Sequence, residues 1–330
     1  MSAGPAADVR AALEARQVRI YFAAVAAAAV LGWLWPSAAA LSAAIEPLLA
    51  LMLFATFLQV PLTELRQALT GIRFVLVLLA GNFLVVPVFV AVLLPWLPPD
   101  PLVRVGVLLV LLTPCIDYVV TFAHLGRADA RSLLAATPVL LACQMLALPL
   151  YLGLFLGGQA TGLVHAGPFL HAFAWLIVVP LVLAGLCQAW AGRHAAGRRV
   201  AGRLGLLPVP ATAAVLFVVV ASVVPQLGQA TQAVWAVAPI YVAFGIAAPL
   251  LGWALGRAAR LSAGQSRAAA FSMATRNSLV VLPLGLAVPG AMPVVPAVIV
   301  TQTLVELACE LAYIRLLPRL GAKTGTSLPS

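Results

Sequence analysis

Four side chains interrupt hydrophobic runs that otherwise exclude charge: Cys115 and Asp117 after Pro114, Arg276 beside Asn277, and Glu306. A thiol is a soft ligand, a carboxyl group can exchange a proton, and a guanidinium stays charged throughout. A charge at bilayer depth costs roughly 2.5 to 3.5 kcal/mol, so it is ordinarily kept for a substrate, an ion or a proton.

Glu306 sits on a polar stripe in which Gln302, Glu306, Cys309 or Glu310, and Tyr313 recur at spacings of three and four, one face of a helix. That face is expected to line a cavity, with Gln302 and Glu310 among its walls. Glu310 lies one turn nearer the cytoplasm, as an entrance group or the partner of a loop arginine. Glu306 is read as the proton-coupling residue, because a carboxyl in apolar surroundings can load and release a proton near neutral pH. Asp117 is next in line for that role. The competing reading of Glu306 is an ion pair that only ties the last two spans together.

Arg276 cannot carry a proton. Its charge reads as a partner for Asp117, as the occupant of a place where another carrier holds a cation, or as an anchor for an anion. Cys115 reads either as a soft ligand at a helix break or as a small core residue, the latter being the default for Cys143 and Cys187. Asn277 and Ser278 fall at the same depth and join Cys115 as substrate-binding candidates. Gln144 and Asn82 also lie near mid-depth as interhelical hydrogen bonders, with Gln144 toward the cavity. His124 follows Cys115 by nine residues, about 13 Å along an unbroken helix, too far for a nucleophile and base. The place of Glu46 is left open.

The elements that must hold these groups follow from composition. Of 330 residues, 64% are hydrophobic and 8% charged, with a mean hydropathy of +1.10. That describes a polytopic all-α membrane protein. The formal charge of +10 is spread in small groups between apolar runs, which is the pattern of membrane orientation and excludes a nucleic-acid patch. The four cysteines show no C-x-x-C or zinc spacing, and no cofactor is expected.

A span needs about 20 apolar residues. That ruler predicts ten: 18–35, 38–60, 73–95, 102–124, 132–156, 168–191, 207–227, 233–256, 268–289 and 293–316. Arg10 to Arg19 followed by an apolar run and Ala38-Ala39-Ala40 imitates a cleaved leader, but the run is long enough to span and is read as retained. In this topology 17 of the 19 basic residues fall on one side, leaving Arg104 opposite and Arg276 inside. Both termini are therefore expected in the cytoplasm of a multi-pass protein of the cell membrane.

Ten spans divide into two fives, and an odd number of crossings forces the second five to be inverted. The expected organisation is a cytoplasmic segment 1–17, a first five-helix repeat 18–156, a second inverted repeat 168–316 and a cytoplasmic tail 317–330. Spans four and nine carry matching interruptions, Thr113-Pro114-Cys115-Ile116-Asp117 and Thr275-Arg276-Asn277-Ser278, each followed by a Val-Val pair. Matched breaks in two halves point to a midplane binding site.

Three stretches carry a family resemblance: LLTPCIDYVVTFAHLGRADA around Cys115, ATRNSLVVLPLGLAVP from Ala274 to Pro289, and VTQTLVELACELAYIRLLPRL from Val300 to Leu320. The chain resembles the arsenical-resistance (Acr-type) arsenite permeases, which belong with the bile acid:sodium symporters in one superfamily of ten-span carriers. The resemblance implies a transporter rather than an enzyme, with arsenite, and antimonite by extension, exported in exchange for protons. It places the family's thiol on Cys115, where trivalent arsenic as substrate meets a soft donor, and its carboxylate on Glu306. Two departures stand out. Asp117 intrudes after Pro-Cys, and the sodium-holding positions of the bile acid branch fall on Ser272 and Arg276, which argues against sodium coupling there. The alternatives are sodium- or proton-coupled transport of an organic anion anchored by Arg276, an intramembrane enzyme using Cys115, and a sensor domain.

Overall fold

The computed structural model describes residues 5–59, 71–116, 118–157, 171 and 174–321. Among them every regular element is helical. The reason is physical: backbone polar groups in hydrocarbon must be paired within their own segment. In chain order the helices are α1 (Pro5–Leu34), α2 (Ile45–Gln59), α3 (Ile72–Ala80), α4 (Val86–Leu93), α5 (Pro101–Leu111), α6 (Val119–Leu125) and α7 (Ala130–Leu156). They continue with α8 (Val179–Arg193), α9 (Ala195–Leu204), α10 (Pro208–Val223), α11 (Leu227–Ala258), α12 (Ala263–Ala274), α13 (Ser278–Leu286) and α14 (Val294–Leu316). A π-turn, Gly81–Val85, joins α3 to α4 without a change of direction, and a 3-10 segment, Pro36–Ala44, leads into α2.

Seven helical stretches among the described residues are long and apolar enough to cross a membrane: 9–34, 36–59, 72–96, 130–156, 195–226, 230–258 and 294–319. The sequence-predicted spans four and nine are not among them, because each is two short helices: α5 with α6, and α12 with α13. Part of span six lies outside the described residues, which include 171 and run on without a break from the π-turn Ala174–Val178 into α8.

Local chemistry fixes the ends nearest the breaks. Asp100 caps α5, its carboxylate accepting from Leu102 and Val103 N–H at 2.8 and 3.3 Å, with Pro101 where a missing N–H costs nothing. Ser262 and Gln265 form a reciprocal capping box at the start of α12. The turn that starts α7 is tied to the same end, Asp129 N–H donating to Gly264 O at 3.0 Å.

Helix α12 is held by close backbone approach. A methyl group at Gly252 of α11 would stand 2.6 Å from Ala269 O, and one at Gly256 would stand 2.8 Å from Ser266 Cα. Two glycines four residues apart against Ser266, Ala269 and Ala270 let the helices touch at backbone distance, the small-residue packing that membrane helices use in place of a hydrophobic drive. Outward faces carry apolar side chains such as Leu146, Leu150, Leu154 and Trp235, each more than 70% exposed, as a lipid-facing surface requires.

Candidate functional site

The two broken helices meet at their breaks. Pro114 and Arg276 face each other as an isolated antiparallel pair, with Cys115 N–H donating to Thr275 O at 3.1 Å and Asn277 N–H donating to Thr113 O at 2.8 Å. These bonds satisfy groups that the helices leave over, since α5 ends at Leu111 and α12 at Ala274. Thr113 and Thr275 occupy matching places and act alike locally. Each hydroxyl sits against a carbonyl of its own helix, Thr113 at 2.7 Å from Leu109 O and Thr275 at 2.8 Å from Phe271 O, the single Thr275 proton being shared with Glu310.

Helix α14 brings its polar stripe against this crossing. Glu306 accepts three hydrogen bonds: from Arg276 N–H at 2.6 Å, from Gln302 Nε2 at 2.6 Å and from the Tyr118 hydroxyl at 2.5 Å. A single peptide group therefore links the two candidate residues. The Thr275–Arg276 peptide accepts from Cys115 through its oxygen and donates to Glu306 through its nitrogen. Bonds in such a chain polarise one another in a low-dielectric interior. One turn along, the Glu310 carboxylate is paired with the Thr275 hydroxyl at 2.6 Å, and its second oxygen has no partner among the described residues. Ser278, at the start of α13, accepts from the Thr303 hydroxyl of α14 at 2.8 Å.

Burial is nearly complete: Cys115, Arg276, Ser278 and Glu310 are 0% exposed, Asn277 1%, Gln302 3% and Glu306 4%. A small cavity of about 10 Å³ touches Gln302 and Glu306, between Tyr241, Phe244 and Tyr313. That is about the size of one water, so the crossing is closed in this conformation.

Arg276 departs from the expected direction. Its backbone meets Glu306, yet its guanidinium turns away to Asn82 Oδ1 at 2.8 Å, Ser272 O at 2.6 Å and Leu111 O at 3.4 Å, with its carbon 5.6 Å from the Phe244 ring centre. Among the described residues no carboxylate lies within ion-pair distance of it; Arg10–Glu14 is the ion pair found there. Asp117, its expected partner, lies outside the described residues.

The sequence-predicted residues Cys115, Arg276, Asn277, Ser278, Glu306, Gln302 and Glu310 thus gather around one crossing. Gln144 is fully buried on α7, and neither amide atom has a partner among the described residues. Glu46 is exposed on the first turn of α2, on a groove it shares with Trp175. Sequence reasoning passed over Tyr118, which bonds both Glu306 and Arg276 O, and over Thr303; it named Thr275 in the second break and Ser272 by family likeness, without the bonds they make. The repeated threonine ahead of each break was the available signal for Thr275. Nothing in the sequence marks Tyr118 beyond its nearness to Cys115.

A family model described as the Sodium Bile acid symporter family matches residues 46–233, more than half of the chain, and the chain belongs to that family. The matched stretch contains the first break with Cys115 and ends before Arg276 and Glu306. The family and the apolar helices together make this a multi-pass membrane protein of a transporter family. No curated protein matches the chain.

Proposed function

We propose that this member of the sodium bile acid symporter family is a secondary carrier that exports arsenite, and antimonite by the same chemistry, from the cytoplasm in exchange for protons. The observation that carries the reading is the hydrogen-bonded path from Cys115 N–H through the Thr275–Arg276 peptide to the Glu306 carboxylate. Trivalent arsenic prefers thiolate donors, and one thiol with oxygen neighbours holds it weakly enough to let go, where three would trap it. Asn277 supports this role, since it is bonded to Thr113 O at the crossing and its buried side-chain amide nitrogen has no partner among the described residues.

In the proposed cycle, arsenite reaches Cys115 from the cytoplasm while Glu306 is ionised and accepts its three bonds. Proton arrival at Glu306 from outside turns one carboxylate oxygen from acceptor to donor. The bonds from Arg276 N–H and Gln302 then weaken, the crossing loosens and the solute leaves outward. Asp117 is a second proton candidate, and Glu310 and Gln144 line the route. Because the cavity at Glu306 holds about one water, a solute enters only when the helices around the crossing move apart.

The architecture we infer is ten spans in two inverted repeats, 18–156 and 168–316, with both termini in the cytoplasm and the protein in the cell membrane. Two pairs of half-helices meeting antiparallel at their breaks support it, together with seven full-length stretches and the partly described sixth span. Rocking of one bundle against the other about that crossing gives alternating access.

The family's printed description favours a second reading, transport of an organic anion coupled to sodium or protons. Everted membrane vesicles separate the two. Arsenite uptake driven by a proton gradient, without sodium, supports export by proton exchange. Bile acid uptake driven by a sodium gradient, with no arsenite uptake, overturns it.

A further inference from the structure

The guanidinium of Arg276 is the largest buried charge whose role the proposed cycle does not use. It is 0% exposed at the crossing, and the groups it meets are neutral oxygens: the Asn82 amide, the Ser272 carbonyl and, at longer range, the Leu111 carbonyl. The Phe244 ring adds the negative face of its π-system at 5.6 Å. Asn82 is held for this task, since its nitrogen donates to Leu78 O and to Ser272 Oγ, both at 3.0 Å, leaving its oxygen aimed at the guanidinium. The π-turn Gly81–Val85 that carries Asn82 is itself an interruption of helical spacing, a feature common at functional positions.

Neutral amide and carbonyl oxygens converging on a monovalent charge are the makings of a cation site, where they replace the ion's hydration shell. Here the charge is covalently attached and cannot be lost by deprotonation. The family's printed description includes sodium, and these residues do not fit a free sodium ion, because a side chain fills the place.

The geometry points to Arg276 as a built-in cation: its guanidinium permanently occupies an oxygen-lined site between α12, the end of α5 and the α3–α4 turn, so the carrier cycles without taking a cation there from solution. Removing the side chain opens that site to small monovalent cations, with guanidinium the best fit and sodium next. The inference concerns the Arg276 side chain alone and is read by unfolding rather than by transport, so it stands or falls separately from the function proposed above.

The test is thermal unfolding of purified full-length protein in detergent, comparing Arg276→Ala with the parent in choline chloride, sodium chloride and low-millimolar guanidinium chloride. The variant is expected to unfold below the parent in choline. Guanidinium should raise its midpoint by about 3 °C or more, growing with the logarithm of concentration as for a bound ligand, while sodium gives a smaller rise. The parent should show neither rise. A folded variant indifferent to all three salts overturns the proposal. If the variant folds in none of them, Arg276→Lys and Arg276→Met decide: a built-in cation requires the lysine form to fold and the methionine form to fail. Lysine no better than methionine overturns the proposal.

Discussion

The two helix breaks do the same geometric job by different means. In the first, Pro114 lacks a backbone donor and disfavours helical geometry at Thr113, so the chain leaves α5 on its own account and is irregular over 112–116. The second has no proline at Thr275, Arg276 or Asn277, and it lasts only those three residues between α12 and α13. Its extended geometry is held from outside, by Thr113 O, by Cys115 N–H and by the Glu306 and Glu310 carboxylates. The first break is therefore intrinsic and the second is imposed, and the peptide that joins Glu306 to the Cys115 N–H lies in the break that has no stiffness of its own.

Removing what imposes the second break should have the largest effect. Glu306→Ala leaves the Tyr118 hydroxyl, the Arg276 N–H and the Gln302 amide without their acceptor. The expected loss is about 3 to 5 kcal/mol by denaturant or thermal unfolding in detergent. Glu306→Gln keeps the shape and should lose less stability while ending proton-driven transport. A Glu306→Ala protein as stable as the parent would show that the second break holds itself.

The matched threonines sharpen the comparison. Thr275→Val removes the partner of Glu310 from a fully buried site and should cost about 1 to 3 kcal/mol. Thr113→Val loses a hydroxyl bond back into its own helix and should cost no more than about 1 kcal/mol. Equal losses in the same unfolding assay would erase the distinction between the breaks. The smallest effect on stability belongs to Cys115→Ser, because the bond at the crossing is made by its backbone N–H. Stability should stay within about 1 kcal/mol of the parent while arsenite transport by vesicles falls sharply.

Much of this was legible in the sequence, for specific reasons. Apolar runs of span length announce the long helices, since nothing else satisfies backbone groups in lipid. Pro114 and the polar residues at 275–278 announce the breaks, and helical rise sets the common depth of Cys115, Arg276 and Glu306. Depth along a helix does not determine which way a side chain turns. Arg276 shows the limit: its position was readable, but its turn toward Asn82 and Ser272 depends on the approach of α3 and on packing of α11 against α12 through Gly252 and Gly256. Tyr118 was hidden for the same reason, since its bond to Glu306 spans 188 residues of sequence.

The coupling of thiol to carboxyl is tested most directly by arsenite protection of Cys115 against a thiol reagent, in protein carrying Cys143→Ser, Cys187→Ser and Cys309→Ser, as a function of pH. The account predicts that arsenite slows modification at neutral pH, that protection fades on acidification, and that adding Glu306→Gln removes the pH dependence. Protection that fades identically with and without Glu306 would contradict it.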